Sequence, residues 1–335
     1  MTNDWYTADN VHLLKAKKMA AWRNADAKLE AADVHAVDEY IIGRLFEPIG
    51  TVIPLGTGGS YLAKFKTGRF QPGTWEEILY FQTAMNLYPA LGVCATTEAT
   101  PNIHDITLRI TQTPLNMGRH WERENTTDAE SERIDIYGMM LNSHHIECSE
   151  RAPVAVQHNK WGVAFTKNSS TDDIAKAVYT DEPFKWSMFT FPTFTYNSET
   201  IEADVVGWAF DVINTIVYTG LDTNGFYTKG KYIPLTYITT TLEIIPYGHN
   251  AFELIRTNLE SYATDVDLVV KCSRNTTTDF VQWTHDKMYC QPFVIAAEKT
   301  PGRVERYILV MSQLDTGSLA IQAKDQYNND YYENP

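Results

Sequence analysis

Beyond Gly50 the chain alternates apolar and polar residues in short segments, which is the pattern of β-strands that bury one face. Most apolar positions in these segments are β-branched or aromatic, and Gly, Pro, Asn and Asp residues separate one segment from the next. The pattern therefore predicts a mainly β chain of antiparallel sheet. The ten clearest segments are 61–67, 106–110, 133–137, 154–158, 189–191, 212–218, 236–244, 268–270, 280–283 and 307–310.

The first 48 residues differ, because apolar residues recur there at the spacing of a helix. Pro48 and Gly50 end this pattern. The sequence thus predicts an N-terminal helical arm over residues 1–48. The residues that carry the helical spacing are Leu14, Trp22, Leu29, Val37, Ile41 and Leu45.

Two short segments within the β region carry signals for the start of a helix. Thr74-Trp-Glu-Glu77 and Asn250-Ala-Phe-Glu253 both have the capping-box arrangement, in which the first and fourth side chains each bind the other's backbone amide. Similar strand–turn–strand units follow both segments, which indicates a weak internal duplication. We therefore expect two related antiparallel β-barrel or β-sandwich halves with one flanking helix each, at 49–185 and 186–325, and a polar C-terminal tail at 326–335.

Charge narrows the partners that the chain can bind. Its 335 residues include 28 Lys and Arg against 42 Asp and Glu, which gives a formal net charge of −14. A protein with this negative charge repels the phosphate backbone, so we expect no binding of nucleic acid. We see no signal peptide and no apolar run that is long enough to span a membrane, so we expect a soluble protein with four reduced cysteines.

No motif predicts catalysis, a cofactor or a metal centre. Gly56-Thr-Gly-Gly-Ser60 lacks the lysine of a phosphate-binding loop and is interpreted as a turn. In His144-His-Ile-Glu-Cys148, strand geometry places His145 and Glu147 on one face and His144 on the other. Two ligands do not make a metal site. The sequence therefore predicts a protein that is not an enzyme and binds no cofactor.

Two further segments leave alternatives open. His285 and Cys290 lie in one predicted hairpin region, where a nucleophile–base pair is the less favoured interpretation. The aromatic stretch at 186–196 offers rings that can stack on a sugar, which favours a carbohydrate-binding β-sandwich. The other interpretation, which we favour, is that these rings pack in the core or between subunits.

Residues 113–132 form a long charged stretch without periodicity. A connection of this length in a compact domain is usually functional or disordered. We interpret it as a hairpin tip that reaches a neighbouring subunit, so deletion of residues 116–130 is expected to leave folded subunits that do not stack. The predicted assembly residues are Arg119, His120, Trp121, Glu122, Arg123 and Glu124.

Several segments together match the residue pattern of one virion protein family. In the second half these are Val212-Ile-Asn-Thr-Ile-Val-Tyr, Thr239-Thr-Thr-Leu-Glu-Ile, Phe252-Glu-Leu-Ile-Arg, Leu268-Val-Val and the strands of 280–311. In the first half they are Gly68-Arg-Phe-Gln-Pro-Gly-Thr-Trp-Glu-Glu-Ile and Tyr137-Gly-Met-Met-Leu-Asn-Ser. With these segments the chain resembles the tail tube proteins of tailed bacterial and archaeal viruses. The N-terminal helical arm departs from that pattern.

The resemblance implies a subunit that forms stacked hexameric rings around a channel for the viral genome. It implies as partners other copies of the chain and other tail proteins, namely the tape measure, tail terminator and baseplate. Viral DNA would pass through without specific binding, and the location would be the virion tail after assembly in the host cytoplasm. The alternatives are another virion structural protein, such as a capsid or baseplate subunit, and a carbohydrate-binding β-sandwich.

Overall fold

The computed structural model of the chain describes the backbone of nineteen stretches, and nearly all of their residues lie in β-strands. These stretches are residues 11–14, 17–18, 34–35, 39–42, 49–52, 63–66, 71–80, 92–97, 102–108, 115–121, 132–163, 165–170, 182–221, 227–247, 253–257 with 260, 265–274, 279–291 and 306–325.

The described residues contain twenty strands, one 3-10 turn at Trp186–Met188 and helical residues at 253–257 and 260. The strands are β1 (Val11–Leu14), β2 (Lys17–Lys18), β3 (Val34–His35), β4 (Glu39–Ile42), β5 (Ile49–Val52), β6 (Ala63–Lys66), β7 (Gln71–Ile78), β8 (Gly92–Thr97), β9 (Asn102–Leu108), β10 (Leu115–Trp121), β11 (Glu132–Ser149), β12 (Val156–Val163), β13 (Phe165–Ser170), β14 (Phe189–Tyr196), β15 (Glu199–Thr200), β16 (Ala203–Leu221), β17 (Tyr227–Pro246), β18 (Val266–Ser273), β19 (Phe280–Cys290) and β20 (Tyr307–Asp325).

Ten of these strands form the main antiparallel sheet. Their order is β4–β7–β12–β11–β16–β17–β20–β19–β18–β14. β20 pairs with β19 along one edge, and β17 and β9 share its other edge, at 307–312 and 320–325 respectively. β8 extends the sheet beyond β9. The last described strand thus joins parts of the chain that lie far apart in sequence.

β11 is long enough to belong to a second, smaller sheet. Residues 143–149 pair with β16, and residues 132–139 pair with β10 on the same edge. On the opposite edge, β12 and β13 follow one another. β10 in turn pairs with β1 and β2, and β1 pairs with β3. The branch therefore has the order β3–β1–β10–β11–β13, and β5 and β6 form a separate two-stranded sheet.

The main sheet folds over on itself and encloses the core. Trp208 on β16 and Trp283 on β19 are three strands apart in the sheet order, which would separate them by about 14 Å if the sheet were flat. Their ring centroids are 4.8 Å apart. Phe189 on β14 also contacts Trp208, at 5.4 Å. Inward-facing residues from the middle and from one end of the sheet therefore pack against each other, although the described strands do not close into a barrel.

A ring of three hydrogen bonds joins three segments beside this core. Leu79 N donates to Ala155 O, Ala155 N donates to Phe184 O and Phe184 N donates to Leu79 O, each at 2.8 Å. All three residues are fully buried. Buried backbone N–H and C=O groups must find partners. These three hydrogen bonds supply them where the chain leaves β7, enters β12 and approaches β14.

The mainly β prediction is confirmed, and each of the ten predicted segments overlaps a strand. The helix predicted from Thr74–Glu77 is wrong, because these residues lie in β7 between β4 and β12. The second predicted flanking helix has its counterpart at 253–257. Partner strands on both edges supply backbone hydrogen bonds that override a local capping signal.

The predicted N-terminal helical arm is wrong for the described part of residues 1–48. Those residues are strands β1 to β4, and β1 and β4 pair with β10 and β7. The two predicted halves also share one sheet, since β11 pairs with β16 and β9 pairs with β20. Separate barrels are therefore not formed by the described strands, while the predicted boundaries at 48, 185 and 325 stay predictions.

Candidate functional site

The hairpin of β16 and β17 extends beyond its pairing with the two flanking strands, β11 and β20. β16 pairs with β11 only as far as Ile213, and β17 pairs with β20 only from Thr239 onward. Past these points the two strands pair, among the described strands, only with each other. We call residues 215–221 and 227–235 the hairpin arm. Seven residues of strand extend about 23 Å.

A buried asparagine fixes the root of the hairpin arm. Asn214 Nδ2 donates to Leu141 O of β11 at 3.2 Å, and Thr236 Oγ1 donates to Asn214 Oδ1 at 3.0 Å. Asn214 is 6% exposed. The side chain therefore joins β11, β16 and β17 at the row where the arm leaves the sheet, and the register of β16 and β17 shifts directly after it.

Large apolar side chains are exposed at the arm and at its root. Ile213 and Tyr237 are direct cross-strand partners and are 49% and 57% exposed. Val217 within the arm is 39% exposed. Single exposed apolar residues are ordinary on protein surfaces, but a cross-strand pair beside strand edges that no other described strand pairs with is typical of a contact surface.

One row of the outer face consists of titratable side chains on four neighbouring strands. Glu76, His158, His145 and Asp211 are successive cross-strand partners on β7, β12, β11 and β16. His158 Nδ1 lies 3.3 Å from the Glu76 carboxylate, and the rings of His158 and His145 are 5.6 Å apart. His145 Nδ1 lies 2.7 Å from Asp211, and its Nε2 lies 3.4 Å from Glu147.

These carboxylates favour the protonated form of His145. The hydrogen bond to Asp211 raises the pKa of His145 above its usual value, burial opposes this, and Glu147 adds to the increase. The face predicted for His145 and Glu147 from strand alternation is confirmed, and His144 lies on the other side, 1% exposed. Within the described residues, no group of three or more His, Cys, Asp or Glu side chains is arranged to hold a metal ion.

A trough runs along β16 next to this row. Gly207 and Ala209 form its floor, and the walls come from Glu147 and Ser149 on β11 and from Thr241 and Glu243 on β17. Its volume is 260 Å³. The trough exists because Gly207 and Ala209 on β16 have smaller side chains than their cross-strand partners on β11 and β17.

The rim of the trough combines acidic groups with one exposed apolar side chain. Ile308 on β20 pairs with Glu243 and is 59% exposed. Arg306 Nη1 lies 3.0 Å from Glu243, and its Nη2 lies 3.8 Å from Glu150. One guanidinium thus faces two carboxylates, and Glu147 has only the neighbouring His145 as a partner of opposite charge among the described contacts.

The predicted assembly residues fall partly within the described chain. Arg119, His120 and Trp121 lie in β10, whose backbone pairs with β11 on one edge and β1 on the other. Glu122, Arg123 and Glu124 lie outside the described residues. The deletion of 116–130 would remove most of a strand that is paired on both edges, so it no longer isolates an assembly function. The assembly role of the charged stretch therefore stays a prediction.

The catalytic alternative is not supported by the geometry of its two residues. His285 and Cys290 lie on the same strand, β19, and His285 Nε2 is 3.1 Å from Thr240 Oγ1. Burial lowers the pKa of His285 to about 4 and raises the pKa of Cys290 to about 12. A neutral imidazole and a protonated thiol in the core make a poor base and a poor nucleophile.

The aromatic stretch lies mostly in the core, as favoured from the sequence. Phe189, Phe194 and Tyr196 are buried on β14, and the ring of Trp186 stacks on Phe189 with centroids 6.0 Å apart. Trp186 and Phe191 are partly buried against the core. Because buried rings cannot stack on a sugar, the aromatic stretch gives little support to carbohydrate binding. The sequence reasoning missed the trough and the hairpin arm, because both depend on which strands pair and where pairing ends.

None of the helical residues in the described part of the chain belongs to a segment with the length and hydrophobicity of a membrane span. No protein-family model matches the chain, and no curated protein matches it.

Proposed function

We propose that this chain is a structural subunit of a viral tail tube, which self-assembles into stacked rings around the channel for the genome. The observation that carries the proposal is the hairpin arm, which extends beyond its pairing with the flanking strands and has exposed apolar residues at its root. The resemblance in residue pattern to tail tube proteins supports the same role. The chain then acts in the virion tail with other tail proteins as partners and catalyses no reaction.

The energetics of an unsupported hairpin favour an assembled state. A two-stranded ribbon is at best marginally stable in water, and among the described strands neither outer edge of the arm has a β-strand partner for its N–H and C=O groups. Contact with a neighbouring subunit covers the apolar side chains and supplies partners for these groups. A chain that kept such an arm as a monomer would be prone to aggregation.

The charge of the chain supports a role as a conduit for DNA. A net charge of −14 on each subunit repels the phosphate backbone, and the repulsion is repeated by every copy in a ring. A channel wall that bound phosphate would hold the genome in place. The acidic composition therefore suits a passage through which DNA moves without adhering.

Self-assembly of the purified full chain tests the proposal. We expect rings or tubes with a central channel in negative-stain electron microscopy, and a large, concentration-dependent mass in size-exclusion chromatography. Val217→Glu combined with Tyr237→Glu places charge on the exposed apolar positions of the arm and its root. This variant is expected to remain folded by circular dichroism and to elute as a monomer.

A matched control separates the contact surface from the change in net charge. Thr200→Glu together with Thr190→Glu adds the same charge at exposed strand positions away from the arm, and we expect it to assemble like the unmodified chain. Monomers of the unmodified chain at every concentration would refute the proposal. Closed shells in place of tubes would favour a capsid subunit.

A further inference from the structure

We propose that the trough on β16 is the docking site for the hairpin arm of a second copy of this chain, with arm lysines bound between Glu147 and Glu243. This inference rests on the proposed self-assembly and names the surface that receives the arm. The shape of the trough, the charge of the arm and the exposed Ile308 at the rim are three separate observations that support this docking.

The trough suits an extended side chain with an apolar stem and a cationic end. Its floor at Gly207 and Ala209 is small and uncharged, Ile308 offers an apolar contact at the rim, and carboxylates stand on both walls. Lysine and arginine bury their methylene groups along apolar surface while the charged group stays near acceptors or water. A neutral or acidic side chain would add no positive charge to the trough, where Glu243 has Arg306 and Glu147 has His145 as partners among the described contacts.

The size of the trough favours a side chain over a small molecule. Sites for small ligands are generally enclosed clefts of roughly 300–1,000 Å³ lined by apolar and aromatic groups. The trough has a volume of 260 Å³ on an open sheet face, with small and acidic residues predominating. It is therefore better matched to one or two side chains from another protein surface.

The hairpin arm has the charge that complements this surface. Its strands, 215–221 and 227–235, contain two lysines, Lys229 and Lys231, and no acidic residue. The connecting residues 222–226 add one aspartate, Asp222, so the whole hairpin end has a net charge of +1 in a chain of −14. A cationic segment in such an acidic chain is most favourably placed against carboxylates.

The charged groups around the trough leave an excess of negative charge for this partner. Three carboxylates, those of Glu147, Glu150 and Glu243, lie in or beside the trough, and the Arg306 guanidinium pairs with the last two. His145 is the remaining titratable neighbour, 3.4 Å from Glu147, and Asp211 holds its other ring nitrogen. When His145 is neutral the trough is acidic, and when it is protonated Glu147 is partly compensated.

Complementary variants test the docking directly. The trough variant is Glu147→Lys with Glu243→Gln, which reverses the wall charge without adding a second cation beside Arg306. The arm variant is Lys229→Glu with Lys231→Glu. We expect each variant alone to require at least about tenfold higher concentration to form rings or tubes, because the arm and trough then have like charge.

Mixing the two variants is the decisive measurement. The arm of the trough variant still has lysines and meets the intact trough of the arm variant, while the reversed arm meets the reversed trough. We expect the equimolar mixture to assemble at the concentration of the unmodified chain. Glu199→Lys, an exposed change of charge outside both surfaces, should assemble normally by itself.

The outcomes distinguish this inference from the proposed function. If the unmodified chain assembles and the trough variant does so equally well, the docking site is refuted while self-assembly stands. If the unmodified chain never assembles, both are refuted. Should the trough variant fail to fold by circular dichroism, Ala209→Leu fills the floor without changing charge. Normal assembly of that variant would also refute docking in the trough.

Discussion

At the scale of single residues, strand alternation predicts which face a side chain takes but not what it meets there. The sequence placed His145 and Glu147 together because they are two residues apart on a strand. It did not identify His158, Glu76 or Asp211 as neighbours, since their positions depend on the register of three other strands. For the same reason the sequence did not identify Gly207 and Ala209 as the floor of a trough.

The buried His285 predicts a loss of stability in mild acid. Burial lowers its pKa to about 4 in the folded chain, against 6.5 for an ordinary histidine. Unfolded chains therefore bind more protons between these values, and the free energy of unfolding falls as the pH drops from about 6.5 to 4, by about 3 kcal/mol from this residue.

Urea unfolding of the unmodified chain and of His285→Gln, each at several pH values between 4 and 7, measures this contribution. Glutamine retains a polar partner for Thr240 and has no proton to gain. The free energy of unfolding of the variant should depend less steeply on pH over this range. Equal slopes for both proteins would show that His285 does not titrate on unfolding.

At the scale of elements, the alternating pattern identified strands well because burial of one face governs both pattern and pairing. Helix signals were less dependable. The capping box at Thr74–Glu77 is a local preference, and β7 gains hydrogen bonds along both edges. The length of the hairpin arm could not be predicted from the sequence either, because β16 and β17 keep the strand pattern past the residues where their pairing with β11 and β20 ends.

Gly317 predicts a strict steric requirement where β19 and β20 pair irregularly. A Cβ atom at this position would lie far inside van der Waals contact with Asp286 O and Gln313 Nε2. Gln313 Nε2 already donates to Asp286 O at 2.6 Å, and Lys287 has a positive φ of 57°. Gly317→Ala must displace backbone, so we expect a loss of at least about 2 kcal/mol in the free energy of unfolding.

Gly207→Ala is the matched control for that change. Its Cβ would lie 3.2 Å from Glu243 Cβ, a close contact with a side chain on the neighbouring strand. We expect a loss of about 1 kcal/mol or less, because a shift of a few tenths of an ångström between the two strands relieves this contact. Urea denaturation of both variants and of the unmodified chain measures the two losses in the free energy of unfolding. Equal losses would contradict the steric explanation of the β19–β20 bulge.

At the scale of the whole molecule, the alternating pattern predicted the mainly β class and the composition gave the negative net charge, while the two-halves interpretation was not confirmed. Direct pairing of β11 with β16 and of β9 with β20 joins the predicted halves into one sheet. A weak internal duplication in sequence does not reveal whether the copies pair with themselves or with each other, since both arrangements bury the same faces.

Net charge predicts that neither the subunit nor its assemblies will retain DNA. In a gel-shift experiment with double-stranded DNA we expect no retarded band at about 0.1 M salt and none when the salt is lowered, because binding that strengthens at low salt requires cation–phosphate contacts. A cationic DNA-binding protein serves as the positive control. A retarded band that weakens as salt is added would contradict the proposed passive conduit.

The position of β20 has a consequence for how the chain folds during synthesis. β9, β17 and β19 each present an edge to β20, yet residues 307–325 are translated after all three. Residues 102–107 must await partners more than two hundred positions later, and such long-range pairing slows folding. Until then three aggregation-prone edges stay open. Ribosomal pausing shortly before codon 307 is therefore the stage at which chaperone binding should matter most.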